Sequence, residues 1–447
     1  MPMYDTVSQY DQVLSNDVTD WHPPVMVRLW QVLQPLGSGT APMFVLQVVL
    51  YAAGFALIVA ALVRSGRWRP ALAAAVLALS PLLLGWQMVV LKDGQMLGAL
   101  LASLGIIAHF RLAQKKVPVP AAGVVVVLLG YATLVRANAL FATVPLAILL
   151  LPRPVNLAGK MAIGLAAILV LLGVTPILNQ RLFHATESGV ATSQPLFDLA
   201  AIAVATPHSV VPFTQADRVE FLRKHCVKSF FWDPVGDPSA CGPMTDDASE
   251  LPQHELYLDL ARAAAAHPLA YAAHRLKHWN STERWLVPPG LIAAEPPDEA
   301  EENDEGLKTP ASPFVPLWQS AGAVEAGTPL GWPIVWTTIA LLLLPSAWRR
   351  RAEPAGGLAL ALIVSALTLE ASFFVISIAS DLRYHLWPMT AAALALILLS
   401  DALPLSRRAW TASAAVLAFV TAGGLITRST LPAAPDSYQA MLHAPSD

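Results

Sequence analysis

The sequence has few charged residues. Asp, Glu, Lys and Arg make up 13% of the chain, about half of the roughly 25% that is usual in soluble globular domains. The net charge is only −3 and no basic tract is present, which argues against a nucleic-acid partner. The glycine patterns of P-loop and dinucleotide-binding proteins and the Gly-x-Ser-x-Gly pattern of many hydrolases are missing as well.

Cysteine is almost absent. Cys226 and Cys241 are the only two, which excludes a disulfide framework but is compatible with one bridge. Six of the seven histidines in the region 179–330 are candidate metal ligands, but their spacings are not typical of a zinc site: His208, His225, His254, His267, His274 and His278. His274 and His278 would share a helix face, yet the companion glutamate of a zinc-protease helix is missing. We therefore interpret these histidines as part of a polar surface.

Apolar residues, in contrast, are abundant and make up 55% of the chain. They form repeated runs of about 17–24 residues, the length that crosses roughly 30 Å of hydrocarbon, and the alternating pattern of a β-barrel is missing. The sequence therefore predicts an all-α polytopic membrane protein. We count ten candidate spans: 43–63, 71–88, 94–111, 120–135, 138–151, 160–178, 331–347, 356–378, 386–401 and 410–427.

Positively charged residues orient these spans, because cytoplasmic turns are enriched in Lys and Arg. Every second connection is basic, so the ten-span count places five turns in the cytoplasm. Their basic residues are Arg64, Arg67 and Arg69; Arg111, Lys115 and Lys116; Arg153 and Lys160; Arg349, Arg350 and Arg351; and Arg407 and Arg408. The remaining connections and both termini then face outward.

This topology divides the chain into five parts. They are a first extracytoplasmic loop with amphipathic juxtamembrane helices (1–42), an N-terminal transmembrane module (43–178), an extracytoplasmic insert (179–330), C-terminal transmembrane helices (331–427) and an extracytoplasmic tail (428–447). An outward N-terminal segment of this length without a preceding helix is unusual. We therefore expect the natural protein to begin upstream of Met1 with a further helix.

The insert combines an acidic run at 295–305, which we interpret as a solvated loop, with two predicted helices. These helices cover 251–266 and 269–287 and are separated at Pro268, because proline disfavours helix in the residue before it. The second helix suits the bilayer interface through its aromatic and basic residues, Tyr271, His274, Arg275, His278, Trp279 and Trp285.

The first 30 residues are polar and charged, ahead of a mostly apolar chain. Asp5 lies in a polar stretch, and Asp20 and His22 precede the pair Pro23-Pro24. An exposed tail whose prolines start a helix at Val25 is the simpler interpretation. A functional interpretation is favoured by the other charges that the predicted topology brings to the same outward face.

Lys92, Asp93 and Arg136 belong to these outward charges. Asp93 would start the helix 94–111, where the helix dipole favours an anion. Arg136 interrupts an apolar stretch, and an arginine at membrane depth needs a partner. Two simpler interpretations stay open: a Lys-Asp pair that only ends a helix, and an arginine that reaches lipid headgroups.

A later outward turn contains Asp381-Leu382-Arg383-Tyr384. Arg383 offers a planar set of donors that stays charged and Tyr384 adds a hydroxyl, so the two suit an anionic phosphate. An interfacial aromatic belt with a snorkelling arginine is the alternative. In the preceding span, we expect Glu370 to face inward and to be hydrogen-bonded.

Together these motifs resemble the GT-C integral-membrane glycosyltransferases, in particular the protein-O-mannosyltransferase and aminoarabinose-transferase type (family 39-like). Asp5 followed by His22-Pro23-Pro24 is similar to the first outer loop of that family. Lys92-Asp93 resembles its second outer-loop carboxylate, and Asp381-Leu382-Arg383-Tyr384 its late Arg-Tyr loop. The resemblance covers residues 1–180 and, to a lesser extent, 331–400.

Two features depart from the family pattern. The first helix of the family has no counterpart before Asp5, and Asp5 is followed by Thr6 rather than by Glu. The resemblance nevertheless implies a GT-C-like helical fold in a bacterial-type inner or plasma membrane, with the active face extracytoplasmic.

The resemblance also implies a reaction: transfer of a sugar, with inversion, from a polyprenyl-phosphate donor to a hydroxyl of a glycan, lipid or protein acceptor. Asp5 would be the general base and Asp93 a second carboxylate, and the two would hold a divalent cation such as Mg²⁺ or Mn²⁺. The donor phosphate would be bound by Lys92, Arg136, Arg383 and Tyr384. The substrate would be oriented by Asp20 and His22.

Two other functions stay open. A transporter or flippase for lipid-linked sugars usually shows internal repeats and broken helices, and we find no repeat in the sequence. A polymerase or ligase for lipid-linked glycans shares outward Arg and His loops, and would differ in using long glycans rather than a single sugar.

The predicted orientation can be tested with single cysteines introduced at Glu302 and Arg350. We expect a membrane-impermeant maleimide to label the cysteine at position 302 in intact cells, and the one at position 350 only after permeabilisation, with the unmodified chain as background. The opposite labelling would overturn the orientation, and the outward active site with it.

Overall fold

The computed structural model describes residues 1–150, 156–309, 312–402 and 406–444. Arg153, which belongs to one of the predicted cytoplasmic turns, lies outside these residues. Within these ranges, β-structure is limited to two isolated bridges, Thr19 with Thr186 and Phe231 with Ala379. The predicted all-α class is confirmed.

Twenty-one α-helices cover most of these residues. The first nine are α1 Tyr4–Ser15, α2 Pro24–Leu33, α3 Ala41–Arg64, α4 Trp68–Ala78, α5 Pro81–Gln87, α6 Lys92–Arg111, α7 Val119–Leu134, α8 Leu140–Leu150 and α9 Leu157–Ile177. The next six are α10 Ser193–Ala205, α11 Gln215–Arg223, α12 Asp233–Gly236, α13 Asp246–Ser249, α14 Gln253–Ala266 and α15 Pro268–Thr282. The last six are α16 Phe314–Gly327, α17 Pro333–Arg349, α18 Pro354–Ile376, α19 Leu386–Leu399, α20 Arg407–Thr430 and α21 Tyr438–His443.

Six of the described helices are long and apolar enough to cross a membrane, and a bent pair could form a seventh span. The seven coincide with predicted spans: Ala41–Arg64, the pair Trp68–Ala78 and Pro81–Gln87, Lys92–Arg111, Leu157–Leu182, Pro354–Ile376, Leu382–Leu399 and Arg407–Thr430. The other three predicted spans fall on the shorter helices α7, α8 and α17. The chain therefore has the helices of an integral membrane protein.

The chain separates into two compact units. The first unit comprises residues Met1–Thr186, Glu295–Glu370 and Arg383–Ala418. The second comprises Glu187–Ala294, Ala371–Leu382 and Phe419–Asp447. The acidic run 295–305 therefore belongs to the first unit, whereas the two predicted helices of the insert belong to the second.

Helix α6 lies in the core of the first unit. In its apolar stretch 83% of the residues are buried, against 0% for the span Leu157–Leu182. Glycines let α6 and α3 approach closely: a Cβ atom at Gly54 would lie 2.5 Å from the backbone carbon of Leu101, and one at Gly105 only 2.6 Å from the oxygen of Gly54. Such close backbone packing through small residues is typical of membrane helices.

The residues that precede α6 are held in place by a buried glutamine. Helices α4 and α5 are bent by 51°, and an irregular stretch leads from α5 to Lys92. Gln47 of α3 donates to the carbonyl oxygens of Gln87 (3.0 Å) and Val89 (2.8 Å). These bonds satisfy backbone groups that would otherwise be buried without partners, and they fix the start of α6.

The N-terminal segment is attached to the same stretch. The hydroxyl group of Thr6 in α1 donates to the carbonyl oxygen of Val90 (3.0 Å). Further along, the backbone N–H of Asp20 donates to Thr186 (3.0 Å) and Arg28 donates to the carbonyl of Phe183. The segment is therefore docked on the first unit and is not the exposed tail of the simpler interpretation.

The second unit contains the predicted pair of helices, as α14 and α15, and it corrects our view of two of the histidines. His274 and His278 of α15 are buried, so they do not belong to a polar surface, although His208, His225 and His254 are exposed. The Nδ1 atom of His278 lies 2.7 Å from the carbonyl oxygen of Ser229. His274 is turned inward by a buried acceptor on another helix.

That acceptor is Asp198 of α10, which is fully buried. It lies 3.0 Å from the Nε2 atom of His274 and 3.0 Å from the Nη1 atom of Arg275. Arg275 also donates to the carbonyl of Phe374 (2.8 Å). The basic residues that we expected at the lipid headgroups are thus turned into the second unit.

The two cysteines are joined. Cys226 and Cys241 form a disulfide with a sequence separation of 15, and both are buried in the apolar core of the second unit. The bridge that the sequence left open is therefore present, and it closes the loop that contains α12.

Replacing both cysteines by serine is expected to lower the stability of the second unit. For a loop of this length, loss of the cross-link costs about 3 kcal/mol of unfolding free energy. Thermal unfolding in detergent, with a probe in the second unit, measures the change. Reductant should destabilise the wild type to a similar extent and leave the double variant unaffected; equal stability of oxidised wild type and variant would contradict the expectation.

Candidate active site

Five charged side chains of the first unit form one connected cluster, which we call the charge cluster: Asp5, Lys92, Asp93, Arg136 and Arg383. The Oδ2 atom of Asp5 lies 3.3 Å from the Nζ atom of Lys92 and 3.1 Å from the Nη1 atom of Arg383. Arg383 also reaches Asp93, with 3.8 Å between Nε and Oδ2. The Nη1 atom of Arg136 donates to Oδ1 of Asp93.

The cluster draws on four separate segments of the chain. Asp5 lies in the first turn of α1, and Lys92 and Asp93 are the first two residues of α6, where unpaired backbone N–H groups favour a carboxylate. Arg136 follows α7 in an extended conformation (φ −153°, ψ 123°). Arg383 belongs to the 3₁₀ turn Leu382–His385 that leads into α19.

Tyr384 packs against the guanidinium groups of the cluster. The Cζ atom of Arg136 lies 4.0 Å from the centre of its ring, and that of Arg383 lies 5.5 Å away. Arg136 is also fixed by a hydrogen bond from Nε to Asn138 (2.9 Å). Cation–π contacts of this kind hold the positive groups in place without neutralising them.

Exposure differs within the cluster. The side chains of Lys92 and Asp5 are 20% and 15% exposed, whereas those of Arg383 and Asp93 are 8% and 1% exposed. Lys92 and Asp5 are therefore the least buried members and form the accessible edge of the cluster, although the Oδ2 atom of Asp5 is itself buried. Asp93 lies at the base of the cluster. A ligand that approaches from solvent meets Asp5 before Asp93.

The pKa of Asp5 is set by opposing effects. Burial would raise it, but the positive charges of Arg383 and Lys92 outweigh burial and hold the pKa of the carboxyl group well below its usual range. Asp5 is therefore ionised at physiological pH. It can accept a hydrogen bond from a hydroxyl group, yet with this low pKa it is a weak base.

His22 lies beside the cluster. Its side chain is 1% exposed, and burial together with the charge of Lys92 lowers its pKa to about 4, although Asp5 acts in the opposite direction. The imidazole ring is therefore neutral at physiological pH. Asp20, also predicted to orient the substrate, is placed by its backbone bond to Thr186 and lies outside the set that defines the charge cluster.

The two carboxylates do not present the donor set of a metal site. Among the described residues, no group of three or more His, Cys, Asp or Glu side chains is placed to hold a metal ion. In addition, three cationic side chains already neutralise Asp5 and Asp93, and they would repel a divalent cation. We therefore derive no role for the predicted Mg²⁺ or Mn²⁺, which stays untested.

Two supporting residues lie behind the cluster. Glu370 of α18 is buried and accepts from the Nδ1 atom of His385 at 2.8–2.9 Å, which confirms its predicted inward, hydrogen-bonded position. His385 ends the 3₁₀ turn that carries Arg383 and Tyr384. Sequence reasoning did not assign His385, because a histidine in this position has no motif; only its distance from Glu370 reveals the pair.

The neutral state of His22 predicts a pH dependence of stability. The usual pKa of histidine is about 6.5 and the folded value is about 4, so stability linked to neutral His22 is fully present above pH 6.5 and is lost as the pH falls towards 4. Relative to His22→Gln, the unfolding free energy of the wild type should fall by about 2 kcal/mol between pH 7.5 and pH 5. Thermal unfolding in detergent measures this; parallel pH profiles would contradict it.

The whole chain was also compared with known proteins. No family model, no curated protein and no solved structure matches it. A function for this chain must therefore be inferred from the charge cluster and the residues around it.

Proposed function

We propose that this chain is a membrane glycosyltransferase that transfers a sugar from a polyprenyl-phosphate donor to an acceptor hydroxyl on the extracytoplasmic face. The observation that carries the proposal is the convergence of Asp5 with Lys92 and Arg383 at one accessible site beside apolar helices. The fold would be GT-C-like, and a groove between helices would hold the lipid chain.

Charge complementarity supports a phosphodiester donor. Three cations, Lys92, Arg136 and Arg383, face two carboxylates, Asp5 and Asp93, so the cluster has one surplus positive charge. A sugar linked to a lipid through one phosphate has one negative charge in the donor and would neutralise this surplus. A diphosphate donor would leave negative charge uncompensated at a partly buried site, which is unfavourable.

The reaction would place negative charge on the leaving phosphate. Arg383 and Lys92 would stabilise that charge, because both already lie within ion-pair distance of an anion, the carboxylate of Asp5. Preorganised charges of this kind need little reorganisation in the transition state. A phosphate leaves without a proton, so the donor side requires no general acid.

The acceptor side would depend on Asp5. In the free protein, Arg383 and Lys92 hold the pKa of Asp5 low, which makes it a poor base. A donor phosphate would share these two cations with Asp5, and the pKa of Asp5 would then rise towards its usual value. Base strength would thus increase only once the donor is bound. The acceptor proton would pass to the carboxylate of Asp5 as the acceptor oxygen attacks the anomeric carbon with inversion and the lipid phosphate leaves.

Replacing Asp5 by asparagine tests this role. We expect transfer of labelled sugar from polyprenyl phosphate in membranes to fall by roughly 100-fold or more, the usual effect of removing a general base. Binding of the donor should become tighter, because Lys92 and Arg383 lose a competing anion. A loss of folding would not produce this opposite change in binding.

The matched control is Asp11→Asn, which changes an exposed carboxylate in the same helix and should leave transfer unchanged. Transfer by Asp5→Asn at the rate of the wild type would refute Asp5 as the base. Transfer that falls equally in the Asp11 variant would indicate that the helix, and not the carboxylate at position 5, is responsible.

A transporter of lipid-linked sugars is favoured by one observation, the 51° bend between α4 and α5, because broken helices are common in transporters. A transporter would move the labelled lipid across proteoliposome membranes without cleaving it. The alternative would be favoured if intact labelled lipid is found on both sides of the membrane and no sugar is transferred to any acceptor offered.

A further inference from the structure

Two buried polar side chains near Asp5 stand apart from the ion pairs. Gln9 of α1 is 0% exposed and His22 is 1% exposed. Within the described part of the chain, neither amide atom of Gln9 and neither ring nitrogen of His22 has a hydrogen-bond partner. Four polar atoms are therefore buried without partners in one region of the first unit.

Such an arrangement is rare in native proteins. Buried amide and imidazole groups are nearly always hydrogen-bonded, since removing them from water without compensation is unfavourable. Where a native site retains several of them, a ligand or bound water usually supplies the partners. The position of Gln9 and His22 shows which ligand they would meet.

Both side chains lie near Asp5 of the charge cluster. Gln9 follows Asp5 by four residues in α1, so the two side chains lie on the same face of the helix. His22 is close enough to Asp5, Lys92 and Arg383 for their charges to shift its pKa. A molecule held at the accessible edge of the cluster would therefore lie against Gln9 and His22.

We propose that Gln9 and His22 form the subsite for the sugar ring of the donor, and that this sugar is uncharged. The inference rests on the proposed function, which supplies a glycosyl phosphate at Lys92 and Arg383. An amide offers two donors and an acceptor, and a neutral imidazole offers one of each. Sugar hydroxyl groups, which both donate and accept, match this set.

The charges around the subsite select against ionised sugars. The cationic group of an amino sugar would need a carboxylate, but Asp5 and Asp93 are both paired with cations. An anionic sugar would need a second surplus cation, and the cluster has only one, which the phosphate takes. Gln9 and His22 can compensate neither sign fully, so an uncharged sugar is the better fit.

Binding experiments on the whole chain in detergent test the inference without any transfer reaction. The reference probe is the methyl diester of polyprenyl phosphate, which has the single negative charge of the donor and is called bare polyprenyl phosphate below. The other probes are the mannosyl, glucosyl, galactosyl and arabinosyl diesters and the diester of a 4-aminopentose. The variants are Gln9→Met and His22→Phe, which remove the polar atoms but keep similar volumes. Gln253→Met is the matched control, because it replaces an exposed glutamine of the second unit.

For the wild type, at least one uncharged diester should bind roughly tenfold or more tightly than bare polyprenyl phosphate, as two or more hydrogen bonds imply. This gain should disappear in Gln9→Met and His22→Phe and persist in Gln253→Met. Affinity for the bare lipid phosphate should stay the same in all of them. Gln9→Met should also unfold at a higher temperature, because it removes an unpartnered buried amide.

Several results would overturn the inference. They are an undiminished sugar gain in Gln9→Met, tighter binding of the aminopentosyl diester than of every uncharged one, and binding of bare polyprenyl phosphate without a gain from any uncharged sugar. The last result would leave the proposed function intact. If bare polyprenyl phosphate fails to bind, or binds Arg383→Gln as well as the wild type, the proposed function fails and this inference with it.

Discussion

The burial of two carboxylates beside apolar helices is the constraint on which the first unit depends. Asp93 is 1% exposed and Asp5 only 15% exposed, and an isolated buried carboxylate is very unfavourable. One guanidinium group, that of Arg383, contacts both. Compensation of these charges requires α1, the start of α6 and the turn before α19 to meet at one point, far apart as they are in the sequence.

The surrounding structure fixes that point. The close contact of α6 with α3, which glycines permit, positions the start of α6, and Gln47 holds the irregular stretch before it. Thr6 then ties α1 to Val90. The pair of His385 with Glu370 supports the turn that carries Arg383. The hydrogen bonds of Gln47, Thr6 and His385 each satisfy a buried polar or backbone group, so packing and charge compensation reinforce each other.

Under the proposed function, the donor would have to compete with the protein's own carboxylates. In the free protein, the cations that would receive a phosphate are occupied by carboxylates of the chain itself, so a ligand must compete with an existing ion pair. Competition of this kind favours anions that also gain contacts elsewhere, such as a lipid chain between helices or sugar hydroxyls at Gln9 and His22. It disfavours free phosphate, which could offer only its charge.

Much of the charge cluster could be predicted from the sequence, because ionisable residues at the ends of apolar runs are few and need partners. This reasoning selected Asp5, Lys92, Asp93, Arg136 and Arg383, which meet in the structure. It could not select Gln9, since a glutamine in a polar helix has no distinctive pattern. The same reasoning assigned His278 to a polar surface, whereas the structure buries this residue.

The sequence by itself determined the all-α class, the long apolar helices and the residues whose charge would be costly at their ends, because hydrophobic length and charge are local properties of the chain. Only the tertiary structure decided which of these charges contact one another, that Arg383 serves two carboxylates, that Cys226 and Cys241 are joined, and that the polar groups of Gln9 and His22 are buried without partners. These features depend on contacts between segments far apart in the sequence, whose geometry follows from the packing of the whole unit and from no local pattern.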